Sequence, residues 1–120
     1  MNYIVTGNDE YLINQQIKQI VSEFLPVDDE MNEIYYDSLI LNWQSVIEDA
    51  GTFSFFGDRK VIIIENCWFL SARESLTVEL EQMLIDYLQN PNPATVMIFS
   101  LCGTLDGRKT LTKVFANLLK

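Results

Sequence analysis

Two near-continuous runs of large apolar side chains, Val61-Ile62-Ile63-Ile64 and Val96-Met97-Ile98-Phe99, most constrain what this sequence can fold into. A strand with one solvated face alternates apolar and polar residues. A strand without that alternation is covered on both faces, as in parallel sheets sandwiched between helices. Helices are available to cover it: Ile13, Ile17, Ile20, Val21 and Phe24 fall on one helical stripe. Trp43, Val46, Ile47 and Ala50 form a shorter one. Leu76, Leu80, Met83, Leu84 and Tyr87 make a third, and Leu111, Val114, Phe115, Leu118 and Leu119 a fourth. Tyr3-Ile4-Val5-Thr6, ended by Gly7, and Ile34-Tyr35-Tyr36-Asp37 read as two further strands. The order strand-helix, four times over, predicts an α/β fold: a parallel sheet of four strands with helices on both faces and right-handed crossovers.

Local signals set the boundaries. Asn8 or Asp9 can cap the first helix, Glu10 complements its positive end, and Pro26 stops it before the acidic loop Asp28-Asp29-Glu30. Gly51 is a natural end for the second helix. Ser71-Ala72-Arg73-Glu74 has the spacing of a capping box for the third, and Asn90-Pro91-Asn92-Pro93 breaks it. At 120 residues the chain is a single domain, 1–120, without repeat, low-complexity tract or linker. It stops in or just after a helix, which suggests a domain cut from something longer.

The charge balance excludes several partners. Eight Lys and Arg against seventeen Asp and Glu leave −9, which repels phosphate backbones and anionic lipid. All of the excess lies before Gly51, where Lys18 is the only cation, and reads as a solvated acidic face. No apolar run approaches the roughly 18 to 20 residues of a membrane span, and the N-terminus lacks a signal-peptide pattern, so a cytoplasmic protein with no membrane partner is expected. Histidine is absent, which removes imidazole catalysis and the usual zinc sites. Cys67 and Cys102, each just after an apolar run, are expected to be buried small hydrophobes.

In a fold of this kind the loop after the first strand is the default phosphate site, because amides at a helix N-terminus point at the ligand. Here it reads Gly7-Asn8-Asp9-Glu10-Tyr11-Leu12. A P-loop needs a second glycine, a lysine and a hydroxyl, and none is in place. Asp9 and Glu10 put negative charge where phosphates would sit. After the central strand, Glu65-Asn66 keeps one carboxylate of the acidic pair that a nucleotide hydrolase uses, and reads more simply as a strand-end cap or ion-pair partner. A phosphoacceptor receiver would need an Asp closing the third strand, which is absent. No catalytic residue, cofactor or metal is therefore expected.

The most informative segment is Gly51-Thr52-Phe53-Ser54-Phe55-Phe56-Gly57-Asp58-Arg59. Three Phe in four positions are more aromatic surface than a connection ordinarily carries. They can pack beneath the sheet, the more ordinary outcome, or form an exposed hot spot for a protein partner; spacing does not separate the two.

Here the sequence resembles the N-terminal domain of the δ subunit of the bacterial DNA polymerase III clamp loader, over essentially the whole chain. Tyr3 to Leu12 is similar to its opening strand and turn. Thr52 to Ile64 is similar to its apolar pair, Arg and aliphatic strand; Asn90 to Ile98 to its proline turn and fourth strand; and Leu105-Asp106-Gly107-Arg108-Lys109 to its next turn. The resemblance implies an AAA-type nucleotide-binding fold lacking a functional P-loop, with no ATP hydrolysis of its own. It also implies a task, contacting the β sliding clamp and helping to open it for loading on DNA. The family's clamp-inserting apolar pair falls on Phe55 and Phe56, with Phe53 as support; the family often has Leu or Pro nearby where this chain has Phe. Other clamp-loader subunits would be met mainly through lid and collar domains not present here, and DNA only through the assembled complex. In the resembling fold a fifth strand follows, giving the order 5-1-4-3-2, so 1-4-3-2 is expected here with the first strand at an edge. The alternative is a phosphate-handling α/β enzyme or receiver-like domain with an atypical site.

Overall fold

A computed structural model of the chain describes residues 2–25, 33–51, 60–109 and 111–114. The aliphatic runs become strands because nothing in them can end one: β-branched residues suit a pleated surface, and no Gly or Pro interrupts. Strand β1 spans Asn2–Gly7, β2 Glu33–Asp37, β3 Lys60–Glu65 and β4 Thr95–Cys102. Helices α1 (Glu10–Phe24), α2 (Trp43–Gly51) and α3 (Val78–Gln89) alternate with them, a short 3₁₀ turn covers Trp68–Leu70, and residues 111–114 are helical. The four strands form one sheet in the order β1-β4-β3-β2, with every pairing parallel. Both the class and the order agree with the expectation from sequence.

Strand parity divides the core into two layers. Val61 and Ile63, opposite Val96 and Ile98, face α1 and its stripe Ile13, Ile17, Ile20 and Val21. Ile62 and Ile64, opposite Met97 and Phe99, face the other way, onto Val46, Ala50, Leu84 and Leu88 of α2 and α3. Val61 through Ile64 are all fully buried. Full burial of each such side chain contributes about 1.5–3 kcal/mol, and the two central strands supply residues to both core layers.

Two local expectations are corrected. The third helix does not start from a Ser71–Glu74 capping box. The Ser71 hydroxyl instead donates to Trp68 O (2.7 Å) and accepts from Arg73 N (3.1 Å), closing a turn after the 3₁₀ segment. The cap is Thr77, whose hydroxyl accepts from Leu80 N at 3.3 Å, with Glu79 and Glu81 in the first turn where they favour the helix dipole. The buried face of α3 is accordingly Leu84, Ile85 and Leu88, with Leu80 and Tyr87 at its border. Second, Cys102 is exposed, although Cys67 is buried as expected. Cys102 ends β4 beside the start of α1, where the helix does not yet cover the sheet. Pro26, the Asp28-Asp29-Glu30 stretch and Phe115, Leu118 and Leu119 lie outside the described residues.

Candidate functional site

In a parallel sheet all strands end at one edge, and that edge is where this architecture binds phosphates. Here β1 delivers Gly7, and the Asp9 carboxylate caps α1 by accepting from Tyr11 N at 3.0 Å. The helix N-terminus thus already holds an anion of its own. Glu10 and Glu65 both line the small cleft, about 60 Å³, between the start of α1 and the ends of β3 and β4. Two carboxylates at its wall oppose a polyphosphate. Glu65-Asn66 is engaged in joining strand ends. Ser38 N donates to Glu65 O at 2.9 Å, the Ser38 hydroxyl donates to Asn66 O, and Asn66 takes a left-handed φ of 58° to make the turn. Among the described residues no group of His, Cys, Asp or Glu is placed to hold a metal ion.

The same edge carries a second tie that sequence reading missed. The Lys109 ammonium donates to Phe69 O at 2.9 Å, to Glu74 O and to the Ser75 hydroxyl at 3.3 Å, while Asp106 N donates to Leu70 O at 2.8 Å. These bonds fasten the 106–109 turn to the 69–75 connection. Trp68 lies over the end of β4, so close to Gly103 that a Cβ there would meet its ring at 3.1 Å, and Arg73 stacks on the ring with the guanidinium carbon 4.7 Å from its centre. The Cys67 thiol donates to Ile64 O at 3.2 Å; burial pushes its pKa well up, so it stays a neutral packing group.

The opposite edge, where strands begin, receives the connection from α2 to β3. Phe53, Phe55 and Phe56 lie in its 52–59 portion, outside the described residues, as do Asp58 and Arg59. Both flanks are described, and they are held together. Lys60, the first residue of β3, turns its ammonium back to the end of α2, donating to Asp49 O at 2.8 Å and Asp49 Oδ1 at 3.0 Å. The Tyr36 hydroxyl donates to the other Asp49 oxygen at 3.4 Å. The next carbonyl, Ala50 O, accepts from the Thr95 hydroxyl at 2.8 Å and Asn92 Nδ2 at 3.2 Å, and Lys60 N donates to Ala94 O at 3.0 Å. The last turn of α2 has no basic residue of its own, so Lys60 supplies the cation that favours its negative end. The available signal was a lysine just before four aliphatic strand residues, eleven residues after an aspartate at a helix end.

Comparison with known proteins addresses the whole of this architecture. A sequence profile of the family described as "DNA polymerase III, delta subunit" matches residues 3–119. DNA polymerase III subunit delta of Bacillus subtilis is 31% identical over 118 residues, covering 92% of this chain and 33% of the relative. The solved structure of the Bacillus subtilis DNA clamp loader delta protein superposes with a TM-score of 0.83 at 28% identity, covering 98% of this chain and 36% of that one. A DNA polymerase III gamma subunit-related protein from Thermotoga maritima shares the fold, with a TM-score of 0.57 at 15% identity over 83% of this chain and 34% of that one. The chain thus spans about a third of the length of the relatives it matches. Its sheet is an AAA-type fold whose first loop carries acids in place of the phosphate-binding signature, and from residue 3 to residue 119 the chain belongs to the DNA polymerase III delta subunit family.

Proposed function

We propose that this chain is the sliding-clamp-binding domain of a bacterial clamp-loader δ subunit, working in the cytoplasm without ATP chemistry of its own. The observation that carries this reading is the near-complete coverage by a clamp loader delta protein, 98% of the chain at a TM-score of 0.83. The acids at the phosphate edge favour a binding role over a phosphate-handling one: Asp9 occupies the helix terminus, and Glu10 and Glu65 line the cleft. The partner contact then belongs at the opposite edge, in the connection carrying Phe53, Phe55 and Phe56. Phe55 and Phe56 act as paired apolar anchors for a pocket on the clamp, and Phe53 supports them. Contacts with other loader subunits and, through them, with DNA belong to the assembled complex. The net charge of −9 gives this domain no independent attraction for nucleic acid.

Titrating the chain against its cognate β sliding clamp tests the reading. The double variant F55A/F56A should bind about a hundredfold or more weaker, since two aromatic anchors contribute on the order of 2 kcal/mol each. Its melting temperature should stay close to that of the parent. A large drop in melting temperature with unchanged affinity would instead make the two rings core residues.

A further inference from the structure

The stems of the aromatic connection are joined by a polar clasp built from three elements, buried on the Lys60 side and half-buried at Asp49. Lys60 of β3 has only 8% of its side chain exposed, and its ammonium takes the carbonyl and one carboxylate oxygen of Asp49 in α2. Thr95 of β4 and Asn92 just before it take the next carbonyl, that of the fully buried Ala50. Stability alone does not call for a charge here. A buried ion pair replaced by well-packed apolar residues is often neutral or better, and the rest of β3 up to Ile64 is aliphatic. What an apolar residue cannot supply is direction: the ammonium fixes the strand entry to the last turn of the preceding helix and closes an eleven-residue loop.

Closing a loop removes chain entropy that partner binding would otherwise have to remove. Resting on the clamp-binding reading above, we infer that the Asp49–Lys60 clasp positions the aromatic connection for its partner, with Lys60 and Asp49 as positioning residues rather than contact residues. Its two halves sit on either side of the segment, and both are fastened to the start of β4, an interior strand of the sheet. The two stems that flank residues 52–59 are therefore tied to an interior strand of the sheet. Lys60 itself is too buried to reach a partner.

Lys60→Met keeps the length of the stem and removes the ammonium; Lys60→Arg keeps the charge. Two readouts separate positioning from plain stability: amide hydrogen exchange of the chain alone, and affinity for the cognate β sliding clamp. K60M should speed exchange across residues 52–59 while β3 and β4 stay protected, and weaken clamp binding by about tenfold through the lost pre-organisation. K60R should recover part of both. Uniformly faster exchange throughout the sheet, or unchanged exchange at 52–59, would overturn the inference. If K60M does not fold, Thr95→Val removes one bond to Ala50 O and is read in the same way. The two readings fail differently. Loss of binding in F55A/F56A with none in K60M overturns the clasp, whereas local loosening in K60M with parental binding by F55A/F56A overturns the aromatic contact and leaves the clasp as the organiser of the connection.

Discussion

Cys67 and Cys102 show how one residue type takes its character from its place in the sheet. Both follow apolar runs, and from sequence alone both read as small core hydrophobes. Cys67 lies beyond β3 under the α3 layer, wholly buried, with its thiol bonded to Ile64 O and its pKa pushed up by burial. Cys102 ends β4 at the cleft beside the start of α1 and is exposed. The thiolate is the reactive species, so burial suppresses Cys67 both by excluding reagent and by keeping the proton on sulfur. Brief treatment of the native chain with a thiol reagent should therefore label one cysteine, identified as Cys102 by peptide mapping, and treatment in denaturant should label two. Rapid labelling of Cys67 in the native state would mean that the α3 layer opens easily. The sequence could not separate the two because a cysteine's burial depends on whether a distant helix reaches that row of the sheet.

Helices and strands were legible to different depths. Strand existence, the parallel class and the stripe Ile13, Ile17, Ile20 and Val21 follow from periodicity, because each demands a partner face of matching kind. The start of α1 was read correctly at Asp9, but the start of α3 is decided by competition among neighbouring hydroxyls, and there the reading failed. Ser71 is spent on the turn after the 3₁₀ segment, leaving Thr77 to cap α3 six residues later. The two candidate caps make opposite predictions. Thr77→Ala should destabilise the chain by about 1 kcal/mol, the usual cost of a lost cap. Glu74→Ala should change stability by no more than about 0.5 kcal/mol, as expected for an exposed side chain outside any capping box. Urea unfolding of both variants checks this, and the reverse order would restore the capping box. The clasp at the end of α2 escaped sequence reading for a related reason. Its donors come from β3 and from the start of β4, and only the folded sheet brings Lys60, Asn92 and Thr95 to the same two carbonyls.

At the scale of the molecule, the two edges of one sheet have different chemistry. The strand-end edge keeps the geometry of a phosphate site, a glycine at the close of β1 followed by a helix, but its electrostatics are inverted. Asp9 fills the helix N-terminus, and Glu10 and Glu65 wall the adjoining cleft. This was readable from the loop sequence, because a P-loop is a local motif whose missing glycine, lysine and hydroxyl are visible without a fold. At the strand-start edge the proposed partner contact rests on resemblance, since spacing alone does not tell whether the three Phe serve a core or a surface. Inverted electrostatics have a measurable consequence. A triphosphate brought to this edge meets at least three carboxylates and no lysine from the loop, and magnesium cannot offset that without a hydroxyl ligand at the start of α1. Calorimetric titration of the chain with ATP and magnesium should therefore give no saturable heat at micromolar to millimolar nucleotide. Neutralising the wall with Glu10→Gln and Glu65→Gln should still not create a site, because the glycine and lysine that shape and anchor the phosphates remain absent. Saturable binding by the double variant alone would show that charge was the sole obstacle and that the backbone loop is already competent; binding by the parent would refute the electrostatic argument itself.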